Sequence, residues 1–327
     1  WKKNCCWYGC GYYFSMDEGI TKINTMLVDE IKKFSNEINS KIYFDYNLKK
    51  SNWFNIGGKT KVYFKPETLS DLIKFLKKFG THKKIHILGA GSNTLISDNT
   101  YNGIVIKLGK NFSNVSLLPN GIVVAGSGCT DKKLSDFASE NEIGGLEFLA
   151  CIPGTIGGGL KMNAGCFNRE FKDILISIQA IDTMGRVITI PANKVSFQYR
   201  NNDLAKDLIF LSASFKGEKK DKIQIKNEIL KLKKRKDSTQ PTKIKTSGST
   251  FKNPINQTNK KVWELIKESV PLETCFGDAS ISEKHCNFFV NKNNATFSDM
   301  NRLIEFVKEK VEKKTGIKLE KEIKILK

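Results

Sequence analysis

In the stretch SGSTFKNP, Ser247 to Pro254, Ser249 stands between a glycine and a Thr-Phe pair, with Lys252 and Asn253 just beyond. A serine so placed can be a nucleophile, a hydroxyl in a phosphate-holding loop or a turn residue, and its immediate neighbours do not decide. A serine nucleophile ordinarily wants a base and an orienting carboxylate, and the chain offers only His82, His86 and His285. More chemistry lies in three glycine-rich loops: NIGG (Asn55 to Gly58), LGAGSN (Leu88 to Asn93) and CIPGTIGGGLKMNAG (Cys151 to Gly165). Glycines let backbone approach a ligand and present unhindered N–H groups to phosphate oxygens. GAGSN is not GxGxxG, because Asn93 and Thr94 fill the positions around the third glycine, and no GK[ST] is present. A Rossmann or triphosphatase site is therefore disfavoured. Three such loops in the first half point to an extended dinucleotide more than to three separate tight turns.

The elements that must position these residues are legible as periodic segments. ETLSDLIKFLKKF predicts a helix with Leu69, Leu72, Ile73, Leu76 and Phe79 on one face, and the apolar run IHIL then breaks into GAGSN, a glycine loop at a strand end. VSLL and IVVA around Pro119-Asn120-Gly121 predict a hairpin, as do ISIQAID and VITIP around Met184-Gly185, with a short helix through Leu134, Phe137 and Ala138 between. KNEILKLKKRKD reads as a helix with Ile225, Ile229 and Leu232 inward. Its basic end, Lys231 and Lys233 to Lys236, suits the helix dipole before it suits any nucleic acid. A domain boundary is expected near Lys216 to Lys222. A long helix with Met300, Leu303, Ile304, Val307 and Val311 on one face, a core stripe, precedes a last strand in KLEKEIKIL. No internal repeat is visible.

With 327 residues the chain has room for two or three subdomains, and 39% hydrophobic against 27% charged residues is the balance of a soluble globular protein. No apolar run approaches the roughly 20 residues of a membrane span. A net charge of +20 favours anionic partners, but the lysines are dispersed among asparagines (SNEINSK, NKNNAT) and read as a solvated surface. A nucleic-acid binder would interleave stacking aromatics with them. Cys5, Cys6, Cys10, Cys129, Cys151, Cys166, Cys275 and Cys286 lack paired CxxC spacing, which argues against a zinc ribbon or a disulfide scaffold and for a reducing compartment. The opening WKKNCCWYGCGYYF is out of character with the rest of the chain, is broken by glycines and has no small-residue cleavage site, so it reads as foreign sequence rather than a secretory signal. Its three thiols lack the fourth ligand of a zinc site, and no metal is expected.

The ordered set SNWFNIGG, ILGAGSNTLISD, GLEFLACIPGTIGGGLKMNAGCF, SFQYR, SGSTFKNP, FGDASISEKHCNFFVN and GIKLEKEIKIL resembles the UDP-N-acetylenolpyruvoylglucosamine reductase family, from roughly Asn47 to Leu326. The resemblance implies an α+β protein with a vanillyl-alcohol-oxidase-type FAD-binding fold: two α/β subdomains (41–108 and 109–218) and a C-terminal substrate domain (219–327), after an N-terminal extension and helix (1–40). It implies non-covalent FAD, NADPH as co-substrate, and reduction of UDP-N-acetylglucosamine enolpyruvate to UDP-N-acetylmuramate for peptidoglycan, by a cytoplasmic monomer with no nucleic-acid or membrane partner. Gly89, Ala90, Gly91, Ser92 and Asn93 would cradle the FAD pyrophosphate, and Gly57 and Gly58 would support it. Ile152, Gly154, Thr155, Gly157, Gly158 and Asn163 would pass close to the isoalloxazine. Ser249 would give a proton to the substrate carbon, acting as an acid and so needing no histidine. Arg200 and Glu322 would stabilise the enolic carboxylate. Tyr199, Lys252 and Asn253 would bind substrate, and His285 is a weaker candidate. The alternative is an FAD-dependent oxidase of the same fold with another substrate, which would have no reason to keep Arg200, Ser249 and Glu322 together. The segment from Arg200 to Ser249 is compact, as in the shorter class of the family. Two departures are the end at Lys327, just after the last strand, and VPLETCFGD, which lacks the family's glycine-rich spelling.

Overall fold

The computed structural model describes residues 16–82 and 84–327, so the thiols of the opening stretch lie outside the described residues. The helix Met16–Phe34 and the single turn Ser35–Glu37 belong to one compact unit, and Ser40–Lys327 to another.

The larger unit has three layers. In the first, strands run in the order Lys41–Asn47, Lys59–Lys65, Tyr101–Ile106, Ile85–Ile87, the first pair antiparallel and the others parallel. The parallel pairing needs a crossover, and the helix Leu69–Phe79 supplies it. Thr68 caps that helix by accepting from the Asp71 N–H at 3.1 Å. Leu72, Leu76 and Phe79 are buried as the periodicity predicts. Leu69, the first residue after the cap, is 38% exposed, and Phe75 completes the face by stacking on Phe64 with ring centroids 4.2 Å apart.

The second layer is an antiparallel sheet ordered Val187–Pro191, Leu175–Ile181, Ile209–Lys216, Ile122–Gly126, Val115–Leu117. Both expected hairpins form. Asn120 (φ 61°) and Gly121 (φ 72°) turn the first, and Gly185 (φ 78°) the second, left-handed values that suit asparagine and glycine. Helices Asp131–Glu140 and Ile156–Met162 cover the sheet over a core of Val123, Leu134, Leu149, Ile156, Phe171, Ile178 and Phe215.

The helix Lys222–Thr239 buries Ile225 and Ile229 and makes polar contacts with this second layer, although its Asp237 carbonyl accepts from Lys284 further along the chain. Lys226 pairs with Glu140 at 3.0 Å, and Lys236, in the basic end, donates to the Cys151 carbonyl at 2.8 Å. Residues beyond it build the third layer. Strands Cys275–Phe276, Ala279–Ile281 and Phe289–Asn291 pack with helices Val262–Ser269 and Phe297–Thr315, the latter burying all five residues of its predicted stripe. The last strand, Lys324–Leu326, returns to the first layer and pairs in parallel with Thr94–Ile96. The C-terminus is thereby sewn to the strand that leaves the GAGSN loop.

Candidate active site

Two of the glycine loops meet edge to edge. Ser92 donates its hydroxyl to the Pro153 carbonyl at 2.8 Å, and a Cβ on Gly89 would lie 2.7 Å from the Thr155 hydroxyl. Among the described residues, the backbone N–H groups of Gly89, Ala90, Gly91, Ser92 and Asn93 donate to no protein acceptor, nor do those of Gly154, Thr155 and Gly158. Half-buried N–H groups without partners are costly unless water or a ligand takes them, and successive ones form an anion-binding nest. These residues therefore fit a pyrophosphate-containing cofactor such as FAD. A Cβ on Gly158 would find only the Thr155 hydroxyl, at an ordinary 3.6 Å, so that position is open on its ligand side.

Other glycines of the predicted set are small for internal reasons. A Cβ on Gly58 would strike the Asp98 carbonyl at 2.1 Å, one on Gly91 the Ser51 carbonyl at 2.2 Å, and one on Gly57 the Ile96 side chain at 2.9 Å. Gly157 donates to the Ser127 carbonyl at 2.9 Å. Ile152 donates to the Leu149 carbonyl and closes the turn before the loop. Asn163 is fully buried and left-handed (φ 41°), with both amide hydrogens committed, to Glu170 (3.0 Å) and the Gln198 carbonyl (3.1 Å). It is tied to protein rather than turned to a ligand.

The catalytic candidates come together from three distant segments. Residues 249–252 are gripped on both sides. Thr250 N–H donates to the Asn287 carbonyl at 2.8 Å, and the Asn287 side chain clamps Phe251 by accepting from its N–H (3.0 Å) and donating to its carbonyl (2.9 Å). On the other side Glu322 N–H donates to the Thr250 carbonyl at 2.8 Å. The half-buried Ser249 hydroxyl has no protein partner among the described residues, so its proton is available to a ligand. Arg200 donates from Nε to Glu322 Oε1 at 2.9 Å and from Nη2 to the Gly165 carbonyl at 2.9 Å. It holds a left-handed backbone (φ 56°), uncommon outside glycine and asparagine. Burial pushes the Glu322 carboxyl above its usual range, while the Arg200 guanidinium pulls it back.

The substrate candidates surround this pair. Tyr199 lies under the Arg200 guanidinium, 5.0 Å from ring centroid to Cζ, and its hydroxyl accepts from Asn253 at 3.4 Å. Asn253 also accepts from the Val262 N–H at 3.0 Å, anchoring the helix that starts there. Lys252 reaches Glu320 at 2.6 Å. His285 accepts at Nδ1 from the Asn287 N–H at 3.3 Å and sits edge-on to Phe288, in the loop that clamps Phe251. Burial lowers its pKa, so it is a neutral part of that clamp.

Two acids escaped the sequence reading. Glu170 stands 4.0 Å from Arg200, and Asp131, beside Gly154, is fully buried with neither carboxylate oxygen hydrogen-bonded. Neither belongs to a motif; the one available signal was that each falls next to a glycine-rich segment. A cavity of about 700 Å³ between Trp53, Lys243, Lys245 and Lys292 contains none of the predicted site residues.

Residues 60–191 match the family described as FAD binding domain, and residues 240–326 that described as UDP-N-acetylenolpyruvoylglucosamine reductase, C-terminal domain. A Pelagibacter ubique protein named UDP-N-acetylenolpyruvoylglucosamine reductase is 76% identical over 92% of this chain and 100% of its own length. A Rickettsia typhi protein of the same name is 45% identical over 86% of this chain and 94% of its own. The crystal structure of UDP-N-acetylenolpyruvylglucosamine reductase from Thermus caldophilus superposes with a TM-score of 0.76 at 27% identity, covering 88% of this chain and 99% of that one.

Proposed function

The chain belongs to the UDP-N-acetylenolpyruvoylglucosamine reductase family, and from that premise we propose that it draws hydride from NADPH and completes each reduction with a proton from Ser249. Its reaction is the FAD-dependent reduction of UDP-N-acetylglucosamine enolpyruvate to UDP-N-acetylmuramate, a step of peptidoglycan synthesis and so of cell-wall growth. FAD, held by the two glycine-rich loops, would supply the redox chemistry that carries hydride to the enolpyruvyl group.

The protein's own residues do the rest. Gly89 to Asn93, with Gly154, Thr155 and Gly158, hold the cofactor through backbone N–H groups. Hydride addition leaves negative charge on the adjacent carbon, conjugated with the substrate carboxylate. Arg200 stabilises that charge and Glu322 shares it through a proton or hydrogen bond. Ser249 delivers the proton at carbon; a carbanion is basic enough to take one from a hydroxyl, so no histidine takes part. Lys252, Asn253 and Tyr199 orient the nucleotide-sugar. The protein acts as a monomer in the cytoplasm, and the free thiols of Cys129, Cys151, Cys166, Cys275 and Cys286 accord with that reducing compartment.

The observation that carries this reading is the partnerless Ser249 hydroxyl, held between the Asn287 clamp and the strand that brings Glu322 to Arg200. Acid precipitation should release the yellow colour from the pellet, as a non-covalent cofactor requires. Stopped-flow absorbance tests the proton. Ser249→Ala should leave bleaching by NADPH nearly intact and slow recovery of colour on adding substrate by about 10²-fold or more, the scale of a positioned general acid. Ser249→Cys, with a more acidic group, should recover part of the rate. An alanine variant that recovers colour as fast as the parent makes Ser249 a turn residue.

A further inference from the structure

Arg200 has two carboxylate neighbours, and they are held differently. Glu322, at 2.9 Å, comes from the chain's end and accepts a side-chain hydrogen bond from Arg200 alone among the described residues. Glu170, 4.0 Å from Arg200 Nη1, is fastened from behind. Its Oε2 accepts from Asn163 Nδ2 at 3.0 Å and pairs with Lys172 Nζ at 3.0 Å. Asn163 in turn grips the carbonyl of Gln198, two residues before Arg200. The side chain that fixes Glu170 thus also fixes the backbone leading into the left-handed arginine.

We propose that Glu170 is the permanent counter-ion of Arg200, a positioning residue that leaves Glu322 free to gain and lose a proton during the reaction. The idea rests on the reading of Arg200 and Glu322 as catalytic. A guanidinium largely removed from water is costly without an opposite charge. With Glu322 as its one partner, Arg200 would hold that carboxylate ionised and lose its compensation whenever a proton arrived. A second, structurally clamped carboxylate removes the conflict. The other charges facing Glu322 are Lys252 and Lys324, both cationic and both beside Glu320, so the acid that balances Arg200 itself is Glu170. Around Glu170 stand Lys172 and Asp173, whose side chain accepts the Glu170 N–H at 2.8 Å.

The alternative role of Glu170 is purely structural, as an acceptor for Asn163 and Lys172, and the two roles are separable. Glu170→Gln keeps an acceptor for Asn163 while removing the charge. Titration of the FAD-loaded protein carrying 13C-labelled glutamate carboxyls, with the Glu322 resonance assigned through Glu322→Gln, reads the Glu322 pKa without catalysis. In Glu170→Gln that pKa should fall by about half a unit or more, because Arg200 then acts on Glu322 undivided. Glu170→Asp, which keeps the charge, should leave it closer to the parent value. An unmoved Glu322 pKa in a folded Glu170→Gln protein overturns the proposal and leaves Glu170 an acceptor for Asn163. Should Glu170→Gln unfold, Lys172→Met reads the same coupling: with the Glu170 charge less neutralised the Glu322 pKa should rise, and an unmoved value would overturn the proposal. If instead Glu322→Gln reduces substrate as fast as the parent, the catalytic reading of Glu322 fails, whatever the titration shows.

Discussion

The cofactor cradle and the catalytic corner solve opposite problems with opposite materials. The cradle is local and uncharged: two short glycine-rich stretches offer backbone N–H groups, and the one acid beside it, Asp131, is sealed away from water. The corner is assembled from residue 200, residue 249 and residue 322, and works through a guanidinium, a hydroxyl and a carboxylate. Backbone donors suit a cofactor that stays, since they are preorganised and need no counter-ion. Side-chain charges suit a substrate whose own charge changes during the reaction. Damage to the first should therefore appear as lost cofactor, and damage to the second as lost rate with cofactor retained.

The largest expected effect lies in the corner. Arg200→Lys keeps the charge but loses the fork that joins Glu322 to the Gly165 carbonyl, and lysine does not reproduce that geometry. The substrate half-reaction should slow by about 10²–10³-fold, the scale of a lost oxyanion donor, with FAD content of the purified protein unchanged. Variant protein that arrives without flavin would show that the two regions are not separable.

The reciprocal experiment is in the cradle. At Gly158 a side chain has room to exist but projects to the open side, so Gly158→Val should fold and weaken FAD binding by about tenfold or more, a loss of about 1.4 kcal/mol or greater. Turnover per bound flavin should stay near the parent value. Gly58→Ala is the control, because its Cβ would meet the Asp98 carbonyl at 2.1 Å, and melting temperature should fall before any cofactor effect is seen. Flavin fluorescence on titration and thermal melting distinguish the two.

The same contrast explains how much was legible in the chain alone. Loops were legible because glycine spacing is local, and the hairpins because Asn120-Gly121 and Met184-Gly185 carry their own turn chemistry. Sequence did not say which glycines serve a ligand. Gly57, Gly58 and Gly91 look the same on paper as Gly158, and only the Ile96, Asp98 and Ser51 atoms against them mark them as packing glycines. Asn163 was legible as an important residue but not as a structural one, since its partners are Glu170 and the distant Gln198. Arg200, Ser249 and Glu322 were reached through their motifs, not through periodicity. Their convergence depends on Asn287 and on the returning last strand, pairings across long stretches of chain that no local pattern records.

The smallest expected effect sharpens the comparison from the cradle side, where a charge should be absent. Asp131 opens the helix Asp131–Glu140 beside Gly154, and burial holds its carboxyl well above the usual range, which favours its neutral form in the folded protein. In the unfolded chain an aspartate ionises near pH ~3.9. Unfolding above that pH therefore releases a proton, and rising pH favours the unfolded state until the folded pKa is passed. Asp131→Asn removes the linkage while keeping a polar side chain of similar size. Its urea midpoint should match the parent's near pH 4 and exceed it toward pH 7 by a margin that grows by up to about 1.4 kcal/mol per pH unit, the linkage of one proton released on unfolding. FAD should be saturating throughout, so that cofactor loss does not contribute. An asparagine variant whose stability follows the same pH slope as the parent's would mean that Asp131 is ionised and paired in solution, and the uncharged character assigned to the cradle would be wrong.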